Sequence, residues 1–385
     1  MDEFTQKICS WLTDTPITSK DQDAESRGGV HSGYQFKSQQ YLPLTTPVTA
    51  DCASLLLDRY RRTQDERMRA GAESALGYLM RLRCTDESSF AEHTLPDSMD
   101  AATFRKSARY CTADNATVLA ALCNWQFATR SDAYLDAAKK IADWVLKMQN
   151  LDGSFKAVYD ASTKMFVKME GVTGDRCSIH IKAAVPLLKA FDLSGDERYK
   201  TGALKTLDWG RGIQKNNGLV PSFAEADHAL THTMCSAVEA FLFAAHFLKD
   251  DTSRDAALLA AEWLLEAQGA DGAFNRIYRL RTTTIDTPYR TTDATAQAAR
   301  IFSIAYLMTK QEAYRTAAKK AVDYLVTRQC ISTTDRNMLN ALFPSSDDLD
   351  DAILTTPNLL AVSAVCLYDD TEKEDGLDHA VKGLF

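Results

Sequence analysis

The chain has 385 residues, 45% hydrophobic and 25% charged, with a mean hydropathy of −0.27 and a net charge of −8. That acidic balance excludes a phosphate-backbone partner, since nucleic-acid binding needs a basic surface. No run approaches the roughly 18–20 apolar residues of a membrane helix, so membrane insertion is excluded as well. The start, MDEFTQKICSWLTDTP, lacks the basic-then-apolar layout of a signal peptide. Nine scattered cysteines form no CxxC pair and are expected to be reduced and mostly buried, as in a cytoplasmic protein.

In chain order, the pattern predicts a helix around Phe4 to Leu12 and then a polar arm, GGVHSGYQFKSQQYLPLTT (28–46). VTADCASLLLDRYRRTQDERMRAGAESALGYLM (48–80) reads as a first helical hairpin. Four more follow, each an apolar, Ala-rich helix and then an amphipathic one. They start with NATVLAALCNWQFA (115–128), CSIHIKAAVPLLKAF (177–191), HTMCSAVEAFLFAAHFL (232–248) and ATAQAARIFSIAYLM (294–308). Their partners are AKKIADWVLKMQNLDGSF (138–155), ALKTLDWGRGIQKNNGLV (203–220), LAAEWLLEAQGADGAF (259–274) and AKKAVDYLVTRQ (318–329). TTPNLLAVSAVCLYD (355–369) is a sixth apolar helix, partnered by the C-terminal segment or by the N-terminal helix. Helices apolar nearly all round are inner, and those with a polar face are outer.

The amphipathic members form a repeat. Trp144, Trp209, Trp263 and Tyr324 each stand five residues before Gln149, Gln214, Gln268 and Gln329. The period of roughly 54–66 residues suits a helical hairpin plus a long loop. Two copies close with QNLDGSF and QGADGAF. Gly153 and Gly272 are expected as left-handed helix terminators, and Phe155 and Phe274 as residues folding back onto the helix just ended.

Six inner and about six outer helices, with no strand-rich region, resemble the (α/α)6 toroid shared by glycoside hydrolases, polysaccharide lyases, sugar epimerases and terpene cyclases. The expectation is an all-α, single-domain toroid over residues 1–385, with an N-terminal helix and rim arm (1–45) and hairpin repeats (46–370). The resemblance implies that loops leading to the inner helices gather at one rim. The polar segments RYCTADNATV (109–118), GVTGDRCSIHIK (171–182), FAEADHALTHT (223–233), DTPYRTTDATAQ (286–297) and FPSSDDLDDAILTTPN (343–358) lie there.

Candidate chemistry follows from that rim. Asp348 and Asp350, in DDLDD, are crowded carboxylates of which one can hold its proton and act as a general acid; Asp351 ends the run. Asp293, otherwise a helix N-cap, supplies a carboxylate from a different hairpin, and an acid and a base flanking a sugar are what glycoside hydrolysis requires. His180, His228 and His232 are candidates for acid–base work or hydroxyl binding. His228 and His232 share a face if both lie on one helix, but no HExxH or third ligand supports a metal. Tyr34, Asn115, Tyr289 and Arg290 are expected to grip substrate, the arginine through a carboxylate substituent.

Asp348-Leu349-Asp350-Asp351 also matches the Asp-x-Asp-Asp motif of class II terpene cyclases, and the QxxDGxF endings resemble their Gln–Trp repeats. That resemblance implies a second reading, acid-initiated cyclisation through Asp350. His232-Thr233 and Thr292-Asp293-Ala294-Thr295-Ala296-Gln297 resemble the His-Thr and Thr-Gly-x-x-Gln helix starts of toroid proteins encoded among polysaccharide genes, with Asp in place of Gly. The leading expectation is an enzyme acting on a sugar, oligosaccharide or uronic-acid unit by hydrolysis, elimination or epimerisation, without a cofactor. A third reading is a non-catalytic scaffold.

Overall fold

The computed structural model describes residues 2–20, 25–167, 174–279, 289–345 and 351–382. Helices α1 (Asp2–Asp14), α2 (Thr46–Thr63), α3 (Glu66–Leu82), α4 (Thr112–Thr129), α5 (Leu135–Met148), α6 (Ala184–Ser194) and α7 (Glu197–Ile213) come first. They are followed by α8 (Thr231–Phe247), α9 (Asp251–Ala267), α10 (Thr292–Thr309), α11 (Glu312–Thr327), α12 (Thr355–Asp370) and α13 (Gly376–Lys382). A 3-10 turn, Ser178–Ala183, leads into α6. The chain packs as two compact units. The N-half unit comprises 16–32 and 41–209; the C-half unit comprises the residues up to 15, 33–40 and those from 210 on.

In the N-half unit α2 packs on α4 and α4 on α6; in the C-half unit α8 packs on α10 and α10 on α12. These are the inner helices, and their burial matches their composition. In α8, 14 of 17 residues are buried, whereas in α5 only 7 of 14 are, all on one face. The sixth outer position goes to α1, which packs on α12 through a face holding Ile8, Trp11 and Leu12. Helix α13 instead crosses the C-terminal ends of inner helices: Asp378 meets His246 at 2.9 Å, and Gly376 lies against Asp370 and Leu307.

The QxxDGxF endings do more than terminate helices. Gln149 and Gln268 are themselves the C-caps of α5 and α9. Gln149 Nε2 donates to Gly202 O and Thr206 Oγ1 of α7, both at 2.8 Å. Gln214 and Gln268 donate in the same way to Ala256 O of α9 and Ala317 O of α11, each at 2.9 Å. Gly153 and Gly272 have φ of +90°, and a Cβ on either would overlap a carbonyl oxygen, Lys205 O or Lys320 O, of the next outer helix. The repeat is therefore a clamp between successive outer helices. Phe155 and Phe274 are fully buried, their rings 6.1 Å from His180 and from Phe302 of α10, and the chain at Phe155 turns back to the end of α5, where Lys156 N donates to Met148 O.

Short strands occur where the pattern predicted none. Arg109–Cys111 pairs with Val158–Asp160, and His228–Leu230 with Ile277–Arg279. Gly33–Gln35 pairs with Ala352–Leu354. Each of these ladders ends at the start of an inner helix and aligns one loop with the next. All nine cysteines are free, eight buried and Cys84 partly so. Among the described residues, no helix is long and apolar enough to cross a membrane.

Candidate functional site

A recurrent Thr-x-x-(Thr/Asn) at the inner-helix starts holds the loops. Thr46, Thr112, Thr231 and Thr292 each donate a hydroxyl to a carbonyl of the loop that follows: Pro96 O, Lys156 O, Asn275 O and Phe343 O. Three residues on from Thr46, Thr112, Thr292 and Thr355, the side chains of Thr49, Asn115, Thr295 and Asn358 accept a backbone N–H from the preceding loop, that of Val30, Leu95, Phe274 and Leu342; Met234 stands at this place after Thr231. The first turn of a helix has donors and side chains to spare, and here two loops use them. These bonds tie the first turns to the loops on either side.

In the N-half unit this fixing gathers Asp51, Asp97, Cys111, Asp114 and Lys182. Asp97 is pinned by its backbone, donating to Arg109 O and accepting from Thr46 N, and its carboxylate lies 3.8 Å from Arg109 Nε. Asp114, in the first turn of α4, is partly buried. Desolvation, together with the charges of Asp97 and Asp51, pushes its carboxyl up to about 7; contact with Cys111 and the charge of Lys182 act in the opposite direction. Burial and the neighbouring acids lift the Cys111 thiol far out of the reactive range. Asp114 is thus a carboxylic acid that keeps its proton near neutrality in the company of a carboxylate, the condition for a general acid.

In the C-half unit, His232 in the first turn of α8 faces Asp293 in the first turn of α10, with Nδ1 4.0 Å from Oδ2 and both side chains about one-third exposed. The N-cap of α10 is Thr291, so Asp293 stands two residues inside the helix, where its Oδ1 accepts from Ala294 N. An imidazole beside a carboxylate can take and return a proton near neutral pH.

The remaining candidates divide by what their side chains already do. Asn115 is fully buried and committed to Leu95 and Cys111 main chain through three hydrogen bonds of 2.9–3.0 Å. Tyr34 is buried, with its hydroxyl donating to Asp335 at 2.9 Å. His180 is buried beside Phe155, its Nε2 3.2 Å from Gly174 O. Arg290 is ion-paired with Asp271 of the clamp, as Arg176 is with Asp152. His228 lies on the strand before α8 and contacts Asp227, so it shares no helix face with His232. Tyr289 is partly exposed, its carbonyl accepting from Arg276 N. Asp351 is exposed, its carbonyl accepting from Phe36 N. Asp348 and Asp350 lie outside the described residues. Among the described residues, no three His, Cys, Asp or Glu side chains converge closely enough to hold a metal ion.

Asp97 and Asp114 were not singled out from sequence. Asp114 sits in a rim segment, but an acid in a first helical turn is ordinary, and nothing local announces that Asp97 folds against it.

No protein-family model matches the chain, and no curated protein sequence matches it significantly. Solved structures do. A cellobiose 2-epimerase from Bacillus thermoamylovorans superposes with a TM-score of 0.72 at 17% identity, covering 95% of this chain and 100% of that one. A D-mannose isomerase gives 0.75 at 13% identity, with 96% and 97% covered. An unsaturated glucuronyl hydrolase specific for heparin gives 0.71 at 11% identity, with 97% and 99% covered. At these identities the likeness is one of fold, and the fold is the all-α (α/α)6 toroid.

Proposed function

We propose that the chain is a carbohydrate-active enzyme that moves protons to and from a sugar or uronic-acid unit of a small saccharide or oligosaccharide, without a cofactor. The observation that carries this reading is Asp114: a carboxyl protonated to about pH 7 at the head of an inner helix, with a second carboxylate, Asp97, beside it. In hydrolysis Asp114 protonates the departing glycosidic oxygen, and Asp97 takes the proton of the attacking water. Asp97 suits that role because Arg109 flanks it and its backbone is held by two loops.

A second reading of the reaction rests on the His232–Asp293 pair. An imidazole oriented by a carboxylate suits proton abstraction next to a sugar carbonyl, the step shared by epimerisation and isomerisation. Both readings fit the company of the fold, since the proteins named above are an epimerase, an isomerase and a glucuronyl hydrolase. That company favours a sugar over a prenyl substrate for acid-initiated chemistry. A scaffold role is disfavoured because Asp114 is no helix cap; the N-cap of α4 is Cys111. The nine free thiols suit a reducing, cytoplasmic setting.

The test is turnover on two panels, glycosides with and without uronic acid and free reducing sugars, by wild type, Asp114→Asn and His232→Asn. Glycoside cleavage lost only in Asp114→Asn supports hydrolysis. Sugar interconversion lost in His232→Asn supports the second reading. Turnover on either panel that survives both substitutions refutes both assignments.

A further inference from the structure

Beneath His232 and Asp293 the seam between α8 and α10 stays polar. Ser236 meets Gln297, whose Nε2 donates to Ser236 Oγ at 3.3 Å, and Glu239 Oε1 lies 3.1 Å from Arg300 Nε. On each helix these residues follow the first at offsets of four and seven, so each set lies along one face. Every rung pairs residues 61 positions apart, which makes the two helices parallel copies in matched register. Exposure falls from about one-third at the top rung to 1% and 3% at the middle one and 0% and 5% at the lowest. Cys235 lies among them, its thiol lifted by burial and by the charges of Glu239 and Asp293.

An apolar seam would pack as well at several sliding positions, whereas a column of unlike polar pairs brings its partners together at only one. A buried ion pair adds little net stability, but breaking it by a shift strands a charge in the apolar interior, which is strongly unfavourable. Ser236 Oγ also donates to His232 O at 3.0 Å, tying the middle rung to the residue above. We propose that Ser236, Gln297, Glu239 and Arg300 are positioning residues, which hold α8 against α10 so that His232 and Asp293 meet at a fixed separation. The inference deepens, and rests on, the proton-transfer reading of that pair.

The test reads the coupling of His232 to Asp293 without relying on activity. The imidazole of His232 is titrated by NMR, with and without Asp293→Asn, in the wild-type background and in Glu239→Leu/Arg300→Met, which keeps bulk and removes the buried charges. Ser236→Ala/Gln297→Leu is the second background should the first fail to fold. The expected result is a shift on Asp293→Asn in wild type that falls by at least about half in a folded ladder variant, with kcat lowered about tenfold and KM unchanged. A shift of equal size in both backgrounds, or none in wild type, overturns the proposal. Coupling lost with sugar turnover intact supports positioning and instead removes the proton-transfer reading.

Discussion

The first turns of α4 and α10 each carry an acid at the head of an inner helix, and the two acids meet different company. Asp114 is partly buried among other carboxylates, so its proton is held up to about pH 7. Asp293 is about one-third exposed, and its neighbour is an imidazole that can share charge with it. The scaffold is the same, a Thr-led helix start stitched to two loops. The chemistry therefore depends on what the neighbouring loops and helices bring. On the proposed reading, the first centre donates a proton and the second passes one back and forth.

The largest expected effect breaks that contrast directly. Asp114→Asn keeps the shape and removes the proton, so glycoside cleavage should fall by about 10³-fold, with circular dichroism unchanged. Asp293→Asn should cost the same reaction only about tenfold, measured on the same substrate. The reverse ranking would move the chemistry to the α8/α10 pair.

The two acids should also differ in their dependence on pH. A general acid must be protonated, so cleavage should decline as pH rises through about 7, the value to which Asp114 is lifted. Stability should follow the same group. Between about pH 4 and pH 7 the unfolded chain releases this proton while the folded chain keeps it, so Asp114 erodes stability as pH rises. Asp114→Asn should therefore be more stable than wild type at pH 8, by about 2 kcal/mol allowing for partial solvent screening, and no more stable at pH 4, as thermal melts would show.

Two effects on stability alone separate structure from function. Gly272→Ala should destabilise by about 2–3 kcal/mol, because a Cβ there meets Lys320 O and φ is +90°. Asn115→Ala should lower stability by a similar amount through three lost buried hydrogen bonds, leaving KM for any substrate that the folded fraction turns over unchanged.

Much of the fold was legible because its signals are local and repeated. The Trp-to-Gln spacing marked the outer helices, and the Ala-rich segments marked the inner ones. What the Gln and Gly of each ending touch was not legible, since the partner helix lies roughly 50 residues further on. The site was legible as a set of loops and far less as residues. Asn115 looked like a substrate ligand, yet its amide is spent on the backbone. Arg290 looked like a carboxylate clamp, and Asp271 of its own unit already occupies it. Gln297 and Arg300 lie at helical offsets from Asp293, and Ser236 and Glu239 at the same offsets from His232. That pattern was visible in segments read only as apolar.

The claim that Asp114 holds a proton at neutrality can be measured without a substrate. The carboxyl carbon of Asp114, labelled with carbon-13 and assigned by comparison with Asp114→Asn, would be titrated in wild type and in Asp97→Asn. The wild-type midpoint is expected near 7 and should fall when Asp97 loses its charge, yet stay above the ordinary aspartate range because burial remains. A wild-type midpoint near 4, unmoved by Asp97→Asn, would contradict the claim.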